Sequence, residues 1–215
     1  MKFFKIISFI TLLFFISGCA FTSNEVKTEK ARAIYFVPKD VKPEMVKNAL
    51  KEAISGRVSN IKEVCNFFPE ELPDKPAKPT TSNMFGNLMT IAAGNPRLEA
   101  MRLNTTNAYC SYEGSESYGT MFNKKSVAFK AAIYPYKDGY KVYIYEFFQE
   151  GADGIMGHLI KTSVDKIVGS ESPLLFMAQV MDKFERELPQ AKLINVTPSK
   201  IKEVKEKLTV FHKEI

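Results

Sequence analysis

Apolar and polar positions alternate between two periods along this chain. Ala33 to Val37 reads Ala-Ile-Tyr-Phe-Val, an unbroken apolar run of strand length, closed by the turn signal Pro38-Lys39-Asp40. The period then lengthens. Met45, Val46, Ala49, Leu50, Ala53 and Ile54 recur at helical spacing among lysines and glutamates, with Pro43 suited to the first turn and Gly56 to a stop. This predicts an amphipathic helix lying on a core. Pro69, Pro73, Pro76 and Pro79 next forbid a continuous helix or a central strand, so 69–81 reads as a loop or extended arm. From Ser82 to Leu103, Met84, Phe85, Leu88, Met89, Ile91 and Ala92 crowd together before Gly94-Asn95-Pro96, and Arg97 to Leu103 resumes as a helical turn or two. The segment reads either as a helix-loop-helix packed on the core or as a Met-rich flap over a groove or against lipid. Periodicity does not choose between them.

Strand-like patterning follows. Ala108 to Tyr112 surrounds Cys110, and Glu113 to Tyr118 reads as a Gly/Ser-rich turn. Val127 to Tyr136 and Tyr140 to Phe148 form the clearest hairpin, joined by Lys137-Asp138-Gly139, because glycine accepts positive φ after aspartate. In its second strand Tyr140, Val142, Ile144 and Glu146 share one face, opposite Lys141, Tyr143, Tyr145 and Phe147. One face should pack on helices, and tyrosine hydroxyls on the other should stay near water. Ile155, Met156, Leu159, Ile160, Val164 and Ile167 then form a helical stripe. Ser172-Pro173 opens a further helix with Ser172 as its cap, Leu193 to Val196 suits a short strand, and Thr197-Pro198 begins a last basic helix. The prediction is an α+β fold, an antiparallel sheet with a central hairpin packed against several helices. No internal repeat is present. The order of elements resembles the helix-grip or START-like architecture, in which a curved antiparallel sheet wraps a helix.

The N-terminus carries a different signal. Lys2 and Lys5 precede an apolar run from Ile6 to Ile16, too short to span a bilayer and of the length of a secretory signal core. Ile16-Ser17-Gly18-Cys19 follows and resembles the bacterial lipobox, in which an aliphatic and two small residues precede an invariant cysteine; isoleucine stands where leucine is commoner. The resemblance implies that 1–18 is a signal peptide, that Cys19 is the lipidation site, and that the chain is a bacterial lipoprotein. Ala20 in place of aspartate favours the outer membrane. Two or three acyl chains, such as palmitate, anchor a protein stably where one does not. Residues 19–31 are expected to be the lipidated start and a flexible tether, and 32–215 a single domain.

Composition adjusts this picture modestly. The formal charge of +6 falls when Lys2 and Lys5 leave with the signal, and a mildly basic exported domain suits anionic lipid better than nucleic acid, which is not expected as a partner. Of three cysteines, Cys19 is taken by lipid, and in an oxidising envelope compartment Cys65 and Cys110 read as a disulfide. The rival is two buried free thiols.

Catalytic and metal patterns are sparse. His158 and His212 lack an H-E-x-x-H or i, i+4 partner, and there is neither a nucleophile elbow nor a Walker loop, so no catalytic residue, metal or cofactor is assigned. Gly151-Ala152-Asp153-Gly154 reads as a helix cap, and Glu113, Glu116, Glu146 and Glu150 as unpaired carboxylates. The function expected is that of a lipid-anchored envelope protein facing the periplasm, binding a partner protein or apolar ligand without catalysis. Met84, Phe85, Met89, Tyr143 and Tyr145 are its candidate binding surface. The alternatives are an envelope hydrolase or transferase acting on cell-wall or lipid material through Glu146 or Glu150, and a structural envelope tether.

Overall fold

The computed structural model describes residues 27–82, 95–118, 125–150, 162–168 and 172–211. In chain order their elements are β1 (Lys27–Pro38), α1 (Pro43–Ser55), β2 (Ser59–Cys65), β3 (Thr80–Thr81), α2 (Pro96–Arg102), β4 (Leu103–Asn104), β5 (Cys110–Tyr118), β6 (Lys125–Tyr136), β7 (Gly139–Glu150), α3 (Val164–Val168), α4 (Pro173–Glu187), β8 (Lys192–Thr197) and α5 (Lys200–Phe211). Six strands form one antiparallel sheet in the order β2-β5-β6-β7-β1-β8, and β3 pairs with β4 in a small separate ribbon. The fold is α+β, as the order of periods predicts.

The predicted hairpin is the spine of the sheet. Tyr136 pairs with Gly139, so Lys137 and Asp138 form a two-residue turn. Gly139 holds φ at +146°, and a Cβ there would meet the Val37 carbonyl oxygen at 2.1 Å. Only glycine fits a position with both constraints. Pro135 is tolerated within β6 for a local reason. The Ile133 carbonyl faces β5 and accepts from Tyr109, so two residues on the Pro135 nitrogen faces the same way, where the β5 ladder has ended.

Alternation along the strands then sorts the two faces. Ala31, Ala33, Tyr35 and Val37 of β1, Val142, Ile144 and Phe148 of β7, and Phe129 and Ile133 of β6 bury against the helices. Helix α4 packs between α1 and α5 on this face, presenting Leu174, Met177, Met181 and Phe184 to the core. Ser172 caps it as predicted, its Oγ accepting from the Leu175 N–H at 3.2 Å. On α1, the predicted stripe of Val46, Ala49, Leu50, Ala53 and Ile54 is buried, while Met45 stays exposed at its edge. Polar ties pin the helix to β5 and the residue before it: Tyr109 donates to Glu44 at 2.9 Å and Tyr112 to the Lys47 carbonyl at 3.3 Å.

Three boundaries differ from expectation. Strand β1 reaches back to Lys27, so 27–31 belong to the sheet rather than to a tether; its full length pairs with β7, from Lys27 opposite Glu150 to Pro38 opposite Gly139. Residues 113–118 are not a turn but the second half of β5, paired with β6 out to Tyr118 opposite Lys125. Gly114 marks a close approach there, since a Cβ would lie 2.6 Å from Val58 Cγ2. Strand β2 has no counterpart in the predicted elements. It is a sheet edge with a register irregularity near its start, and its polar composition hides its period.

Candidate functional site

The second face of the sheet is built from the intervening positions. Cross-strand pairing carries one row from Lys62 on β2 through Glu113 on β5 and Lys130 on β6 to Tyr145 on β7 and Arg32 on β1. Glu113 is claimed from within this row, its Oε2 lying 2.6 Å from Lys130 Nζ. A parallel row runs from Val64 through Ser111 and Ala132 to Tyr143. Helix α2 lies across the middle of this face, where Ala100 joins Ala128, Ala132, Tyr134, Tyr143, Tyr145 and Phe147 in a second apolar cluster.

Tyr143 and Tyr145, predicted as part of a binding surface, are therefore interior: 9% and 7% exposed. Their rings continue a stack along β7, with centroids 6.4 Å apart from Tyr143 to Tyr145 and 6.3 Å from Tyr145 to Phe147, and Tyr134 meets Tyr143 edge-on at 5.7 Å. The expectation that these rings form an open binding surface is corrected, since the fold covers them. Burial pushes the Tyr134, Tyr143 and Tyr145 phenols above their usual range, opposed at Tyr145 by the Arg32 guanidinium. These rings line neither the groove nor the smaller cavity of this face.

The opening lies between the sheet edge and the α2–β4 wall. It is a groove of about 360 Å³, with Lys62, Val64 and Ser111 on the sheet side and Met101, Leu103 and Thr105 on the wall. Val64 and Met101 are 49% and 48% exposed, unusual for large apolar side chains facing each other across a concavity. A second cavity of about 230 Å³ shares Lys62 and Glu113 with the first and adds Arg97 and Asn60. Asn95 sets the wall, its side chain accepting from the Arg97 N–H at 3.0 Å, so that α2 starts beside this second cavity.

The Cys65–Cys110 disulfide closes one end of the arrangement. The two cysteines are register partners on β2 and β5, with Cα atoms 4.0 Å apart and a sequence separation of 45. It ties the edge strand, and with it Lys62 and Val64, to the interior of the sheet. Next to it the Asn66 amide donates to the carbonyls of Thr106 at 3.0 Å and Ala108 at 2.7 Å, holding the start of the Pro-rich arm against the β4–β5 loop. Phe67 on that arm is fully exposed, while Phe68 turns in to meet Tyr109 at 5.2 Å.

The carboxylates considered for catalysis are scattered. Glu113 and Glu116 lie in β5, not in a turn. Glu146 lies on the helix-facing side of β7, completely buried, and lines neither cavity. Glu150 ends β7. Among the described residues no group of three or more His, Cys, Asp or Glu could hold a metal ion, and no helix is long and apolar enough to cross a membrane. Cys19, Met84, Phe85, Met89, His158, His212 and the Gly151–Gly154 turn lie outside the described residues. Sequence reasoning missed Lys62, Val64, Arg97, Met101 and Leu103. The available signal was the alternation of Lys62 and Val64 with Ile61, Glu63 and Cys65, which is visible once Ser59 to Cys65 is read as a strand. No family model, curated protein or solved structure matches the chain.

Proposed function

We propose that this chain is a bacterial envelope lipoprotein, anchored through lipid on Cys19 to the periplasmic side of the outer membrane. In this reading its α+β domain binds a partner protein or apolar ligand without catalysing a reaction. The binding half rests on one observation, the groove lined by the half-exposed side chains of Val64 and Met101. Burying such side chains under a ligand contributes about 25 cal/mol per Å² of apolar surface removed from water. The anchoring half rests on Lys2, Lys5, the apolar run and Ile16-Ser17-Gly18-Cys19. A disulfide between Cys65 and Cys110 supports it, because such bonds persist in oxidising compartments.

Mass spectrometry of the mature N-terminal peptide tests the anchor. A diacylglyceryl thioether on a new N-terminal Cys19 is expected, and an intact, unmodified Cys19 would overturn it. For the groove, Val64→Ser with Met101→Ser should abolish capture of the envelope partner or ligand while leaving thermal stability within about 1 kcal/mol, since both side chains are half-exposed. Undiminished capture by that variant would remove the groove from the reading.

A further inference from the structure

The polar groups of the main groove are mostly spent inside the fold. The Asn66 amide donates to the Thr106 and Ala108 carbonyls, and Asn104 Oδ1 accepts from the Thr106 N–H at 2.9 Å. Ser111 leans on the Val64 carbonyl at 3.5 Å, and Glu113 is held by Lys130. Two charged side chains are left over. Lys62 is shared by both cavities and Arg97 lines the smaller one. Neither has a carboxylate within ion-pair distance among the described residues, although Lys51, Arg102, Arg186 and Lys205 form ion pairs elsewhere. The charged lining of the joined cavities is thus three cations, Lys62, Arg97 and Lys130, against the single carboxylate of Glu113.

Apolar surface adjoins this positive end. Val64 stands two residues along β2 from Lys62 on the same face, and Met101 and Leu103 rise opposite from α2 and β4. From these positions we infer that the groove binds a small amphipathic anion: a carboxylate or phosphate head between Lys62 and Arg97, and a short apolar stem between Val64 and Met101. This inference rests on the binding reading above and narrows it to a ligand class. The main groove, about 360 Å³, is of small-molecule size, and the adjoining cavity adds about 230 Å³ beside it. A guanidinium and an ammonium on opposite walls give the head both a planar fork and a point charge. An added strand along β2 is the weaker occupant, because the bulge near Asn60 and the charges on Lys62 and Glu63 are devices that discourage edge pairing.

The test uses the full chain, purified from membranes into nanodiscs of phosphatidylcholine and labelled with ¹³C at the methionine methyls. The Met101 methyl, assigned by Met101→Leu, reports the groove directly. Hexyl phosphate and hexanoate should shift it saturably, while hexylamine and hexanol should bind at least tenfold more weakly. Lys62→Gln and Arg97→Gln should each weaken hexyl phosphate by about threefold and together by tenfold or more, with unchanged melting temperature. Inorganic phosphate alone should leave the Met101 methyl in place. Should hexanol bind as tightly as hexyl phosphate and ignore both charge variants, the anion is wrong and the apolar-ligand reading survives. Equal binding of inorganic phosphate would overturn the amphipathic part. If no probe moves Met101, both the inference and the groove's assignment as a ligand site fall. If nanodiscs containing phosphatidylglycerol move it but hexyl phosphate does not compete, the occupant is a membrane surface and the small-ligand inference fails.

Discussion

Glu146 on β7 stands directly opposite Ala31 on β1, on the face that packs against the helices, with both carboxyl oxygens lacking a hydrogen-bond partner. Its partner on the other side, Phe129, offers no charge either. Desolvation pushes the carboxyl well above its ordinary range; the Met177 backbone opposes this in part, but not with the geometry of a hydrogen bond. In the folded state Glu146 therefore keeps a proton that the unfolded chain gives up near the usual carboxylate value. The sign follows from linkage. The contribution of Glu146 is fully present below the unfolded value of about 4.5 and falls as pH rises toward the folded value, by about 1.4 kcal/mol for each pH unit.

Glu146→Leu should accordingly stabilise the domain, and more at pH 8 than at pH 4. Removing an unsatisfied buried polar group contributes about 1–3 kcal/mol, to which the pH-dependent part adds. Urea unfolding at the two pH values measures it. An equal gain at both would show that Glu146 ionises inside the fold at no extra cost, against the present account.

Reduction of Cys65–Cys110 should lower stability by about 4 kcal/mol on the chain-entropy account for a loop of this length. The cysteines are neighbours in a sheet, so the loss should concentrate at the edge. Amide exchange should accelerate in β2 before it does in β6 and β7, because β2 has only β5 beside it. Uniform acceleration would mean that the edge does not open separately. Exposed Cys65 lets reductant reach the bond without global unfolding.

How much of this was legible in the sequence depends on how each segment spends its side chains. The β6–β7 hairpin and α1 were readable because their apolar residues keep a strict period and their ends carry Asp-Gly, Pro or Ser signals. Strand β2 is not, because this edge strand carries exposed Lys62 and Glu63 on its two faces and shows too few apolar residues. The second half of β5 has the composition of a turn, because glycine and serine usually mean flexibility. There Gly114 instead makes room for Val58, a tertiary demand that no local pattern contains. The groove was hidden for the same reason, since Lys62, Arg97 and Met101 meet only through strand pairing and the placement of α2. Alternation puts Tyr143 and Tyr145 on one face, but what covers a face is not written in its alternation.

Gly114→Ala tests that reading of β5. The added methyl would lie 2.6 Å from Val58 Cγ2 and 3.4 Å from Ile61, so β2 or Val58 must shift. Overpacking of this kind costs about 1–3 kcal/mol. Val58→Ala in the same chain should recover part of the loss, a non-additivity expected only if the two side chains share one space. Simple additivity of the two losses would show that the added methyl and Val58 do not compete for one space.

Tyr35 joins the sheet to two helices and gives the sharpest stability prediction. Its ring is fully buried and edge-on to Phe184 at 5.0 Å, while its hydroxyl donates to Glu185 Oε1 at 2.8 Å. Lys205 of α5 donates to the other oxygen of Glu185 at 2.5 Å, so a strand, α4 and α5 meet at one carboxylate. Burial, and then the charge of Glu185, hold the Tyr35 phenol far above its ordinary range, so it stays a donor wherever the domain is folded. Tyr35→Phe keeps the ring and removes only that donor, which for a hydrogen bond to a charged group costs about 1.5–3 kcal/mol. Lys205→Met should cost less, because Glu185 retains some contact with water. The pair together should cost more than the sum, since each single variant leaves Glu185 one partner and the double leaves none. Thermal unfolding of the four proteins closes the cycle. Independent, additive losses would mean that Tyr35 and Lys205 do not act through the same carboxylate.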